Sequence, residues 1–131
     1  MSDWTIVNLH EIEDSAAGRA EGVEARMGRK QLGSRDLGVS LFRYDPETRS
    51  ATTHRHREQE EAYLVVEGSG RMLLGDEVVD LRQWDVVRVA PEVERAFEAG
   101  ADGLSVVAIG GPRPEGGDGV RGGAEWPDDP G

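Results

Sequence analysis

The chain contains no cysteine among its 131 residues. Disulfides and thiolate metal sites are thereby excluded, and redox chemistry says nothing about the compartment. Lysine is almost as scarce: Lys30, in a polar segment, is the only one, so no other side chain can form a lysine Schiff base. No apolar run approaches the roughly 20 residues of a membrane-spanning helix. No segment has the length and 3.6-residue period of a good helix. The opening Met1-Ser2-Asp3-Trp4 lacks the basic stretch and following apolar run of a secretory signal. The expectation is a soluble cytoplasmic protein with no membrane partner.

Charge of one sign is in short supply as well. Twenty-six acidic residues face 15 basic ones, for a formal net charge of −11. Such a chain repels phosphate backbones, which argues against nucleic acid as a partner. Its length fits one domain with a core of useful size.

What is present is a series of short apolar runs broken by glycine, proline and charge, the pattern of an all-β sandwich or barrel. Thr5–Leu9 reads as a first strand, followed by a polar excursion with one short strand near Ala25–Met27. Strands are then expected at Leu37–Tyr44, Ser50–His56 and Ala62–Val66, with a turn at Asp45-Pro46-Glu47-Thr48. Gly68-Ser69-Gly70 predicts a tight turn into Arg71–Leu74, and Gly75-Asp76-Glu77 another into Val78–Leu81. Asp85–Ala90 follows, then a corner at Pro91, a short strand at Arg95–Phe97 and the last strong strand at Gly103–Ile109. Three segments result: residues 1–36, a strand and polar excursion packed on the barrel; 37–110, the barrel; and 111–131, a tail rich in glycine and proline that cannot pack a core of its own. Trp126 in that tail either docks, on its own barrel or a neighbouring subunit, or stands exposed on a mobile segment.

Two of the three histidines, His54 and His56, are one residue apart. On a strand both then face one way. Glu61, Tyr63 and Val65 form the matching set on the next strand, while Glu60 faces out. A carboxylate brought beside two imidazoles completes a face of two histidines and one carboxylate, which holds a divalent metal with open positions.

The spacing of His54, His56, Glu61 and Gly68 resembles the first motif of the cupin superfamily, with Thr48 in place of its leading glycine. A degenerate second motif follows. Trp84 stands for its first glycine, Ala90 for proline, Glu92 for the second glycine, Arg95 for the histidine ligand and Ala99 for asparagine. The resemblance, over Leu37 to Ile109, implies a single-domain antiparallel β-barrel (a double-stranded β-helix or jelly roll), open at one end with a ligand in its mouth, commonly as a homodimer. It implies His54, His56 and Glu61 as ligands of a divalent metal (Mn, Fe, Ni or Zn).

Arg95 cannot supply a lone pair in the place of the third imidazole. Two arrangements are open. Arg95 leans aside to grip an anionic ligand while the other three residues hold a metal, or it forks onto Glu61 and replaces the metal. Tyr63 and Phe97 are candidates to line the pocket, or else plain core. Arg71 and Arg88 either add positive charge at the mouth or are solvated. Trp84 is expected to cover a barrel end or an interface.

The preferred reading is a protein that binds a small polar or anionic molecule in the barrel mouth, with or without a metal. The competing readings are a metal-dependent oxygenase or isomerase with a centre of two histidines and one glutamate, and an interaction module built on the Trp126 tail. No Ser-His-Asp or Cys-His grouping and no phosphate-binding glycine loop is present.

Overall fold

A computed structural model of the chain describes residues 3–127. The alternating and apolar runs form eight strands: β1 (Val23–Met27), β2 (Gly38–Tyr44), β3 (Thr52–His56), β4 (Glu61–Leu74), β5 (Glu77–Leu81), β6 (Val86–Val89), β7 (Arg95–Gly110) and β8 (Gly119–Gly123). One helical turn, α1 (Arg29–Leu32), lies between β1 and β2. Every pairing is antiparallel, and the strands curl into a barrel of the jelly-roll type.

β7 is the spine. It pairs with β4 from Glu61↔Gly110 to Leu74↔Arg95, with β2 from Gly38↔Gly110 to Tyr44↔Leu104, and with β3 at His54↔Arg95. Its inward set, Phe97, Ala99, Leu104, Val106 and Ala108, packs against Tyr63, Val65 and Met72 of β4 to form the core. The opposite face of the same strands presents Leu73 and Ala96, which Trp126 covers. The tryptophan is 4% exposed, so the C-terminal segment docks on its own barrel.

Three local expectations are corrected. Thr5–Asn8 forms no strand. The Asn8 side chain accepts from the His10 N–H at 2.9 Å and caps a 3-10 turn at Leu9–Glu11, so the apolar run ends before it meets a partner, leaving Ile6 81% exposed. Gly68-Ser69-Gly70 is not a turn: β4 runs through it with register shifts at Val65/Glu67 and Gly68/Gly70. Gly68 adopts φ +76°, and a Cβ there would collide with the Gly103 carbonyl oxygen. The glycine therefore serves a bulge and a close strand approach rather than a reversal. For the same reason the segments at Arg95 and Gly103 are one 16-residue strand, since the bulged β4 can follow its curvature throughout. The turn at Asp45 is as expected, closed by the Thr48 N–H donating to the Asp45 carbonyl at 3.1 Å.

Candidate metal centre

β3 delivers His54 and His56 to the barrel interior, and the first turn of chain after it brings in Glu61 at the start of β4. Nε2 of His56 lies 3.1 Å from Glu61 Oε1, and Nε2 of His54 lies 3.4 Å from the same oxygen. The two imidazoles meet edge to face with centroids 5.3 Å apart. The three candidate ligand atoms all fall within 4.8 Å of one another, close enough to hold one ion between them. Tyr63 donates its hydroxyl to Glu61 Oε1 at 2.5 Å and sits 3.2 Å from His54 Nε2.

Nothing in the sequence pattern marks the residue that orients His56. Asp118, buried at 8% exposure, places Oδ1 at 2.8 Å from His56 Nδ1. Its Oδ2 accepts the backbone N–H groups of Glu58 and Gln59 at 2.7 and 2.8 Å. Burial pushes the Asp118 carboxyl up, but those two N–H donors and His56 outweigh it and hold it down at about 2. An ionised carboxylate only accepts, so His56 donates from Nδ1 and turns the Nε2 lone pair inward. That Nε2 is buried and makes no aligned hydrogen bond among the described residues, despite its 3.1 Å approach to Glu61. Two lone pairs facing each other at that distance require a proton or a cation between them. The N, N, O donor set and the anchored imidazole fit a divalent transition metal.

Without a metal, the same contacts favour a proton in that place. The approach of Glu61 raises the His56 pKa, burial opposes it, and Asp118 adds to the rise. Burial pushes Glu61 up, but the donors His54, His56 and Tyr63 carry it well below the usual carboxylate range. Burial, with the Glu61 charge, pushes the Tyr63 phenol far above its ordinary value and keeps it a neutral donor.

Arg95 is fully buried and turned aside from Glu61 toward the corner before β7. One terminal nitrogen lies 3.8 Å from Glu61 Oε1, with no bidentate fork. The guanidinium instead donates to the Pro91 and Ala90 carbonyls at 3.3 and 3.5 Å, because the corner before β7 turns those carbonyls toward it. Arg95 and Phe97 lie outside the lining of the cavity above the triad. Phe97 packs under Tyr63, ring centroids 5.2 Å apart, and Tyr63 does line the cavity.

That cavity measures about 540 Å³. Its floor holds His54, His56 and Glu61, with Phe42, Met27 and Ala108 as apolar wall. Its basic residues are Arg29, Lys30, Arg113 and Arg121, against Glu61 as the one carboxylate. Arg71 and Arg88 take no part: they pair with Glu98 and Glu60. Arg121 is brought in by the His54↔Arg121 pairing of β3 with β8. β8 can lie this close because its glycines leave room; a Cβ at Gly122 would fall 2.8 Å from Thr53 Oγ1. Among the described residues neither Arg113 nor Arg121 has an ion-pair partner. The Arg29 guanidinium, which donates to the Gly111 carbonyl at 3.0 Å, is lowered in pKa by burial and by the neighbouring Arg113 charge.

The model of the cupin domain family matches residues 40–109. The chain belongs to the cupin family. No curated protein matches this cupin. Among solved structures it is similar to a cupin protein from Bacteroides fragilis, at 19% identity over 86% of each chain with a TM-score of 0.64. It is also similar to the polyketide cyclase RemF from Streptomyces resistomycificus, at 14% identity over 96% of this chain and 89% of that one with a TM-score of 0.72. KdgF from a Halomonas species matches at 18% identity over 86% of this cupin and 96% of its own chain, with a TM-score of 0.67. Identities this low speak for the fold.

Proposed function

We propose that this cupin binds a small organic anion in the barrel mouth, above a divalent metal held by His54, His56 and Glu61. The carrying observation is the charge of the cavity wall: four cations and a single carboxylate in a chain of net charge −11. Basic residues so concentrated in an acidic protein focus the local potential and draw anions into the cleft. Arg113 and Arg121, exposed at the rim, offer forked N–H donors that match a carboxylate or phosphate. The apolar wall takes the carbon skeleton. Mn, Fe, Ni or Zn suits the donor set, and a metal there would act as a Lewis acid on an oxygen of the bound molecule.

Tyr63 holds its proton and shares it with Glu61 beside the cavity, which favours a second reading: a metal-dependent isomerase or oxygenase in which Tyr63 and Glu61 position or relay a proton at the ligand. A third arrangement has its own support. Arg95, buried 3.8 Å from Glu61, supplies a positive charge that can balance the carboxylate without metal.

The test is metal analysis of protein purified without a histidine tag, with melting curves in Mn²⁺, Fe²⁺, Ni²⁺ or Zn²⁺. Bound metal, or a melting temperature raised by one of these ions and not by Mg²⁺, is expected. No bound metal and no shift would overturn the metal reading. The anion reading is tested by titrating phosphate and a dicarboxylate into wild type and Arg113→Ala/Arg121→Ala; equal affinities in the two proteins would sink it.

A further inference from the structure

Resting on the metal reading above, we propose that Asp118 is the positioning residue of the centre. It fixes His56 in the tautomer that exposes a lone pair to the cavity, and β8 is the element that carries it there.

The division of labour in the Asp118 carboxylate supports this. Oδ2 takes both loop N–H groups, from Glu58 and Gln59. Oδ1 is left for His56 Nδ1 at 2.8 Å. A residue needed only to pin the Glu58–Gln59 loop would be served by one oxygen. The second reaches the ring nitrogen that points away from the cavity, the place where a partner settles which nitrogen carries the proton. With Nδ1 protonated, Nε2 is the free atom, and it is the buried Nε2 that lacks an aligned partner. His54 has no such carboxylate: its Nε2 is shared between Glu61 and Tyr63. The two imidazoles are thus held differently, and His56, 12% exposed at its side chain against 43% for His54, is the fixed one. The register follows from the ladder. His56 pairs with Gly119 and His54 with Arg121, so Asp118 arrives one residue beyond the last β3–β8 pair, level with the His56 ring.

Asparagine at position 118 separates loop pinning from tautomer control. The side-chain oxygen of Asp118→Asn can still accept the two loop N–H groups. Its NH₂ then faces Nδ1 and donates to it, which sends the imidazole proton to Nε2 and removes the lone pair from the cavity.

Zn²⁺ and Ni²⁺ are titrated calorimetrically into wild type, Asp118→Asn and His56→Ala. Two-bond ¹H–¹⁵N spectra of the metal-free proteins, recorded where the imidazoles are neutral, report the tautomer. Expected are an Nδ1–H tautomer for His56 in wild type, its switch to Nε2–H in Asp118→Asn, and a roughly 10–100-fold loss of metal affinity in that variant with little change in metal-free melting temperature. Wild-type affinity in Asp118→Asn, while His56→Ala loses binding, overturns the positioning role and leaves the metal reading standing. An Nε2–H tautomer in wild type also overturns it, whether or not the variant folds. If wild type binds neither ion, the metal reading falls and takes this role with it.

Discussion

The His56 imidazole and the Asp118 carboxylate, 62 residues apart in sequence, meet in a 2.8 Å hydrogen bond. The bond joins the motif-bearing strand to a glycine-rich segment outside the residues that match the family. β8 is anchored at both ends, by Asp118 on His56 and by Trp126 on Leu73 and Ala96. Packing on the outer face of the barrel and the geometry inside it are therefore linked through one strand of five residues.

Trp126→Ala tests that link. The ring is 4% exposed, and the Arg49 guanidinium lies 4.5 Å over its centroid. Emptying the site should cost about 3–5 kcal/mol of folding stability, the range for burying and then deleting a large aromatic. The urea midpoint measures this. The variant should also bind Zn²⁺ more weakly, because a loosened β8 no longer holds Asp118 against His56. Unchanged metal affinity in a destabilised protein would separate the two ends of the strand.

Arg95→His probes the ligand position that the second motif assigns to histidine. Residue 95 pairs directly with His54 across β3 and β7, and its guanidinium already reaches within 3.8 Å of Glu61. An imidazole there adds a donor and removes a buried positive charge, both of which favour a cation. Metal affinity should rise by at least about tenfold, or about 1.4 kcal/mol. Calorimetric titration gives the answer, and an unchanged affinity would place residue 95 outside the coordination sphere.

The barrel and the triad are legible in the sequence because both depend on local periodicity. His-x-His puts two rings on one face of β3, and Glu61 and Tyr63 keep the same parity on β4. The features that are not legible are those set by distant partners. Asp118 sits among glycines with no apolar pattern to announce a strand, and only pairing with β3 makes the following residues one. Gly68-Ser69-Gly70 carries the composition of a turn, but the approach of Gly103 turns it into a bulge. Arg95 stands out in the sequence as the departure from the family pattern. Its pose does not, since the Ala90 and Pro91 carbonyls that hold it come from the fold of the corner.

Acid should weaken the protein through Glu98. Burial pushes this carboxyl up, but Arg71 and Arg49, at 2.7 and 2.6 Å, outweigh it and lower its pKa from the ordinary 4.5. A depressed folded-state value means that the unfolded chain takes up the proton first. The stabilisation is thus complete above the ordinary value and is lost as pH falls through the folded-state one. Glu98→Gln should be less stable than wild type at neutral pH, and the difference should shrink as the pH is taken below 4.5. Urea unfolding across that range measures it; a constant difference would mean that the ion pairs carry none of the pH dependence.

Trp84 stands where the second motif has its first glycine, and the backbone keeps the conformation that glycine suits. Its φ is +76°, the left-handed region where a Cβ meets the following carbonyl and costs about 1–2 kcal/mol. The indole does not offset this by packing, since Trp84 is 65% exposed in the monomer. Trp84→Gly relieves the strain, while the greater freedom of glycine in the unfolded chain takes back about 0.4–1 kcal/mol. A net gain of up to about 1.6 kcal/mol is expected, read as a higher urea midpoint. Trp84→Ala, which keeps the strain and drops the ring, should show no gain. If Trp84→Gly is instead destabilised by more than the glycine entropy, the exposed ring is covered in solution, and the loss should come with a change in oligomeric state by light scattering.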